Sequence, residues 1–144
     1  MATAELTVDR LAIAVKGLAH PARLRMVGML ATGELCVCQM TAVLELAPST
    51  VSQHLSVLER GGWVAERKEG KLVFYRLRDD GPAATLLPAL RELLAGEANA
   101  RSDRALIARL RRVPVATLCA AELDLVAIGV RRPASTSTAE AARA

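Results

Sequence analysis

The side chains with the most chemistry to offer are Cys36 and Cys38, one residue apart, and Cys119, far down the 144-residue chain. Thiolates are soft donors suited to thiophilic ions, and no carboxylate or imidazole accompanies the pair, which argues against magnesium or calcium. A structural zinc site takes four ligands, and only three cysteines exist. A nucleophilic cysteine wants an orienting base beside it, and the sequence offers none. The plain alternative is core packing, since free cysteine is commonly buried. Residues two apart on an α-helix point about 200° away from each other, so Cys36 and Cys38 would not share one core face. The same geometry makes them poor joint ligands unless the start of the helix distorts. An odd, sparse set of cysteines gives no expectation of a disulfide scaffold.

A second group lies between residues 48 and 60. With Val51, Leu55 and Leu58 on one helical face, Ser49, Thr50, Ser52, Gln53 and Ser56 point outward, and no acidic residue occurs from Pro48 to Leu58. Short, uncharged hydrogen-bonding side chains suit a helix lying in the major groove of DNA, where carboxylates would repel phosphates. The bland reading is a solvated helix face. His54, beside Leu55, either touches a phosphate or braces the segment that follows. That segment carries Arg67, Lys68 and Lys71, suited to the phosphate backbone or minor groove. From Arg60 to Arg78 six basic and two acidic residues give a local charge of +4.

These groups need elements to hold them. Apolar spacing at Leu11, Ala14, Val15 and Leu18 predicts a helix over 4–18, with that stripe buried. His20-Pro21 breaks it, and Pro21 opens a second helix to about Ala31 that buries Leu24, Val27 and Leu30. A third helix is expected from Leu35 to Glu45. Leu46-Ala47-Pro48 is a tight connection, and a fourth helix runs from Pro48 to about Arg60, where Gly61-Gly62 stops it. The period then changes: Trp63–Lys68 and Lys71–Leu77 alternate like strands around Glu69-Gly70, a hairpin. Asp80-Gly81-Pro82 is a turn, Pro88 is read as the start of a helix to about Ala100, and 101–112 continues as basic helix. Val115–Val130 is a last helix with Val115, Leu118, Cys119, Leu123 and Val126 on its apolar side. The Ala/Ser/Thr-rich stretch beyond Pro133 is expected to be a disordered tail. Helices, a tight turn, a further helix and a hairpin describe a mainly α winged helix-turn-helix with a small β-hairpin.

At this point the segment ELCVCQMTAVLELAPSTVSQHLSVLERGGWVAERKEGKLVFYRL, with LAHPARLRMVGML upstream, resembles the ArsR/SmtB family of metal- and metalloid-responsive repressors. The resemblance spans about Leu18 to Leu77 and implies a homodimeric winged-helix repressor that leaves operator DNA when thiophilic ions bind. ELCVC marks the branch sensing arsenite or antimonite, or in some members cadmium and lead. Some members follow ELCVC with Asp-Leu-Cys; this chain has Gln39-Met40-Thr41, so the third local thiol is missing. Trivalent arsenic prefers three thiolates, and Cys119 is the remaining candidate, within a subunit or across the dimer; its alternative is a small buried core residue. Water, hydroxide or a small thiol could stand in. The C-terminal histidine site for zinc found in other members is absent, because no histidine follows His54.

Length and composition bound the rest. An apolar fraction of 52% excludes a wholly disordered chain, and the net charge of +4 permits a nucleic-acid partner. No apolar run reaches the ~18 residues of a membrane-spanning helix, and the first ten residues lack the layout of a signal peptide. Together with what the resemblance implies, the expectation is a cytoplasmic, non-enzymatic dimer on double-stranded operator DNA, with no membrane partner and As(III) or Sb(III) as inducer rather than as catalytic cofactor. Residues 1–100 form the DNA-binding and dimerisation domain, 101–132 a helical extension and 133–144 the tail. Leu90, Leu93, Leu94, Leu106, Ile107 and Leu110 are candidate interface residues, and a monomer core would look the same. Two alternatives stand: the same fold answering cadmium, lead or thiol oxidation, or a thiol-dependent enzyme or metallochaperone that binds no DNA.

Overall fold

The structure is a computed structural model and describes residues 6–120. In chain order it runs α1 (Val8–Gly17), α2 (Pro21–Leu30), β1 (Leu35–Cys36), α3 (Val37–Leu44), α4 (Pro48–Arg60), β2 (Val64–Glu69), β3 (Leu72–Leu77), α5 (Gly81–Ala95), α6 (Ala98–Leu110) and α7 (Val115–Ala120). The strands form one antiparallel sheet in the order β1-β3-β2.

Local chemistry sets the boundaries. Thr7 caps α1, its Oγ1 accepting from the Arg10 N–H, and His20 caps α2, its Nδ1 accepting from the Ala22 N–H at 3.0 Å. Pro21 and Pro48 each open a helix at the position where a missing N–H costs nothing. Between α3 and α4 the chain turns through Glu45, which takes a left-handed φ of 56°. The two-residue turn of the hairpin is Gly70-Lys71, and Gly70 adopts φ 59°, a conformation costly for any residue with a Cβ.

One apolar core joins Met26, Val27, Met29 and Leu30 of α2 with Met40, Val43, Val51, Leu55 and Leu58 of the helix-turn-helix, Trp63, Tyr75, and Ile107, Leu110 and Leu118 of the C-terminal helices. Trp63 is fully buried, and its indole N–H donates to the Ala14 carbonyl at 2.8 Å, satisfying a carbonyl in the last turn of α1. A bidentate ion pair from Arg25 to the buried Asp103, 2.8 and 2.9 Å, fastens α2 to α6.

Several expectations need correction. The segment read as the first turn of a helix, Leu35-Cys36, is a third strand, because its backbone groups pair with β3. The helix expected from Pro88 starts instead at Gly81, with Pro82 in its first turn and Pro88 inside it. Of the stripe on α1 only Ala14 is fully buried; Leu11 is 37% and Val15 52% exposed, because the core lies against the Ala14–Gly17 side. Ile107 and Leu110, offered as interface residues, are buried in the core of the chain, whereas Leu93 is 75% exposed. No disulfide was expected, yet Cys38 and Cys119 are joined. The start of the predicted first helix, the last helix beyond Ala120 and the tail from Pro133 lie outside the described residues.

Candidate thiol cluster and nucleic-acid interface

The three cysteines come from three elements. Cys36 ends β1 in an extended conformation (φ −74°, ψ 148°) and is buried, Cys38 lies in the first turn of α3, and Cys119 sits on α7. Their sulfurs all lie within 4.8 Å of one another. The helical obstacle foreseen for Cys36 and Cys38 disappears because Cys36 precedes the helix, so the strand-to-helix bend turns its side chain toward that of Cys38. Cys38 and Cys119 are disulfide-bonded across 81 residues with Cα atoms 6.0 Å apart, and Cys36 is a free, buried thiol. The cluster thus has two accessible chemical states. Reduced, it offers three soft donors; oxidised, it is one cross-link with a third sulfur alongside.

The residues that replace Asp-Leu-Cys have structural tasks. The buried Gln39 side chain accepts from the Cys36 N–H at 2.8 Å, Met40 is fully buried in the core, and the Thr41 hydroxyl donates to the Val37 carbonyl. Gln39 therefore pins the backbone of Cys36 at the strand-to-helix bend.

Strand β1 also belongs to the hairpin sheet, with Leu35 opposite Tyr75 and Cys36 opposite Phe74. Just before it, the Glu34 carboxylate receives Arg67 of β2 at 2.6 Å while the Glu34 carbonyl accepts from Arg111 at 3.2 Å. The Arg67 guanidinium lies 4.5 Å over the Phe74 ring and also meets Glu69 at 2.9 Å. Arg67 accordingly holds the Glu34 carboxyl below the ordinary carboxylate range. Glu34 and Arg111 were not singled out from the sequence. Their pairing depends on residues 33 and 77 positions apart, and no local pattern encodes it.

On α4, Ser49, Ser52, Gln53 and Ser56 are exposed, Thr50 is half-exposed, and Val51, Leu55 and Leu58 are buried. Ser56 bonds back to the Ser52 carbonyl at 3.0 Å. Lys71 stands exposed in the hairpin turn, whereas Lys68 lies 3.6 Å from Glu66 and Arg67 is held by two carboxylates. His54 meets the start of α2. Its ring packs 4.5 Å from that of His20, and its Nδ1 lies 3.2 Å from Arg23 Nη1. The structure thus gathers the three cysteines at one place and the α4 residues on one face.

A helix-turn-helix followed by a hairpin, with an uncharged polar face on its second helix, defines a winged helix-turn-helix DNA-binding regulator. Residues 20–65 match the model of the bacterial regulatory protein arsR family. The chain is 45% identical over 86 residues to the biofilm growth-associated repressor of Agrobacterium fabrum, an alignment covering 60% of this chain and 73% of that protein. It is 42% identical over 71 residues to the arsenic resistance transcriptional regulator ArsR1 of Pseudomonas putida, covering 49% of this chain and 56% of that protein. Among solved structures it is similar to the homodimeric winged helix-turn-helix DNA-binding domain of a Mycobacterium bovis protein. That likeness has a TM-score of 0.53 and 33% identity, covering 62% of this chain and 82% of the other. The chain belongs to the arsR family of bacterial regulatory proteins.

Proposed function

We propose that this protein is a cytoplasmic repressor that binds operator DNA as a homodimer and releases it when As(III) or Sb(III) is captured by Cys36, Cys38 and Cys119. The observation that carries this reading is the convergence of three sulfurs, one of them 81 residues away, within 4.8 Å. A pyramidal trivalent metalloid takes three thiolates, and this chain restores through Cys119 the third donor that its local motif lacks. Residues 1–100 carry DNA binding and dimerisation, and 101–132 bring Cys119 to the site. Ser49, Thr50, Ser52, Gln53 and Ser56, flanked by His54, face the groove, and Arg67, Lys68 and Lys71 serve the backbone.

The dimer is supported by an apolar face left open on α1, where Val8, Leu11 and Val15 are 83, 37 and 52% exposed, together with Leu93 on α5. Side chains of this kind at helical spacing invite burial by a second copy. Two recognition helices then meet half-sites about one helical turn, roughly 34–36 Å, apart.

A second reading, thiol oxidation as the signal, is favoured by one observation, the Cys38–Cys119 cross-link. Both readings use the same mechanics. Whatever pulls Cys36, Cys38 and Cys119 together acts on a strand bonded to the wing and on the helix before the turn into α4. Operator binding with and without arsenite, under reducing and oxidising conditions, on single Cys→Ser variants, tests both. Release by arsenite in reductant that is lost in Cys36→Ser supports the metalloid reading. Release by oxidant alone, with arsenite inert, transfers it to oxidation.

A further inference from the structure

Three arginines have a carboxylate partner: Arg25 has Asp103, Arg67 has Glu34 and Glu69, and Arg78 has Asp80. A different grouping lies where the start of α2 meets the flank of α4. Arg23 donates through Nε to the Gly17 carbonyl at 2.6 Å and through Nη1 toward His54 Nδ1 at 3.2 Å. His20 accepts the Ala22 N–H on its own Nδ1 and packs its ring against that of His54. With Nδ1 of both histidines used as acceptors, each neutral ring carries its proton on Nε2. The Nε2–H groups of His20 and His54 and the Nη2 of Arg23 have no hydrogen-bond partner among the described residues. The cluster is therefore rich in unused donors and, among the described residues, has no carboxylate at hydrogen-bond distance. It lacks an anion.

Its position indicates which one. His54 follows Gln53 on α4 and lies three residues after Val51, so it occupies the flank between the buried and the groove-facing sides of the helix. The positive end of α2, capped by His20, adds to the same field. We propose that His20, Arg23 and His54 form a binding site for a phosphodiester group of duplex DNA, holding the strand beside the groove that α4 enters. This rests on the DNA-binding reading and adds to it a backbone clamp on α2, outside the helix-turn-helix and the wing.

The clamp is coupled to protons. In the free protein, burial first, then the charges of His20 and Arg23, hold His54 below the ordinary histidine value. His20, the cap of α2, and Arg23 on α2 are the titratable and charged groups acting on it. A phosphate reverses the balance, since an anion stabilises the imidazolium; the added proton falls on Nδ1, so uptake at His54 parts that nitrogen from Arg23 Nη1 and frees the guanidinium for the phosphate. Affinity then rises as pH falls through the window between the lowered free value and the raised bound one, by up to about one proton per subunit.

Phosphate contacts carry no sequence information, so the test needs no operator. A mixed-sequence duplex of about 30 base pairs, long enough for two half-sites, is titrated by fluorescence anisotropy over a salt series at about pH 6 and pH 8. The wild type is expected to bind more tightly at the lower pH, and His54→Gln to lose most of that gain. Arg23→Gln should weaken binding ~5–20-fold and make the salt slope shallower by about one per subunit, with Arg23→Lys recovering most of the loss. Because Arg23 also holds the Gly17 carbonyl, the His54 ring resonance of the wild type is followed on duplex addition, and its titration should move upward. Inorganic phosphate at matched ionic strength should not displace the duplex more than chloride does; greater displacement reassigns the cluster to small anions and overturns the clamp. Unchanged affinity, salt slope and pH dependence in both variants overturns the clamp and leaves DNA binding standing. A wild type with no salt-dependent duplex affinity overturns both.

Discussion

Glu34 and Arg67 are joined carboxylate to guanidinium at 2.6 Å, and through them the segment entering the thiol cluster is tied to the strand entering the hairpin turn. Arg67 meanwhile covers Phe74, the residue opposite Cys36 in the β1–β3 ladder. A side chain that the sequence offers to DNA is thus engaged, in the DNA-free protein, by the residue two positions before the first sulfur. Movement of β1 and availability of Arg67 are mechanically linked.

Glu34→Gln leaves Arg67 with Glu69 alone, so its charge becomes partly available to phosphate; affinity for any duplex should rise and the salt slope steepen by up to about one per subunit. The pH dependence of the pair has a definite sign. The Glu34 carboxyl is held low by Arg67, so its contribution is present above the ordinary carboxylate value and is lost as pH falls through the lowered one. Both groups are partly exposed and salt-screened, so the contribution to global stability is small. Anisotropy titrations of the variant decide the matter: a weaker or unchanged salt slope would place Arg67 outside the DNA footprint.

Trp63→Phe removes the donor to the Ala14 carbonyl and part of a fully buried ring. An unsatisfied carbonyl and a small cavity together should cost ~2–4 kcal/mol, read as a lower midpoint in urea at unchanged m-value. The neighbouring Gly61 constrains any repacking, because a Cβ there would lie 3.0 Å from the Trp63 ring. A loss well under 1 kcal/mol would show that the α1 contact is not part of the cooperative core.

The helix-turn-helix was legible in the sequence because each boundary has a local cause. Pro21 and Pro48 start helices, Gly70 makes the hairpin turn, and Val51, Leu55 and Leu58 fix which face of α4 is buried. The errors occurred where tertiary pairing overrules local pattern. Leu35-Cys36 reads as helix until β3 is alongside, and Pro88 reads as a start because nothing local reveals that Gly81-Pro82 already serves. At the candidate site, Cys36 and Cys38 were visible by spacing, and Cys119 by elimination. Their meeting, Gln39's grip on Cys36 and the place of His54 against Arg23 depend on contacts that spacing does not carry.

Zinc should be a poor inducer. Three sulfurs leave a tetrahedral ion one protein ligand short, and neither histidine can complete the set, since His20 and His54 pack against each other at the α2–α4 junction. In a competition read by thiolate absorption and operator release, arsenite should act at concentrations at least ~10-fold below zinc, a gap of ~1.4 kcal/mol. Equal potency of zinc would mean that a different donor set operates.

Metalloid capture should require reductant. The Cys38–Cys119 disulfide occupies two of the three donors, so the oxidised protein has only the Cys36 thiol to offer. Thiolate-to-arsenic absorption should appear when arsenite is added to protein kept reduced, and be absent from protein oxidised with peroxide and freed of excess oxidant. Full arsenite absorption by oxidised protein, with the disulfide verified by mass, would remove Cys38 and Cys119 from the ligand set.

The closing comparison concerns induction itself. Cys36 belongs to a strand bonded to the wing, Cys38 to the helix before the turn into α4, and Cys119 to α7, so one ion bound to the three sulfurs ties these elements together and biases the packing that sets the recognition helices. An ion can shift DNA affinity only by its preference for the released shape; a coupling of ~1–3 kcal/mol, about 5–150-fold, is usual, and DNA must weaken ion binding by the same factor. Cys36→Ser and Cys38→Ser should therefore bind DNA as the wild type does under reducing conditions but remain bound when arsenite is added. Cys119→Ser should respond only partially, because water or a small thiol can take the third position at lower affinity. Operator titrations at fixed arsenite measure each factor. A Cys36→Ser,Cys38→Ser double variant that still leaves its operator on arsenite addition would end the three-thiol mechanism, whatever Cys119→Ser does.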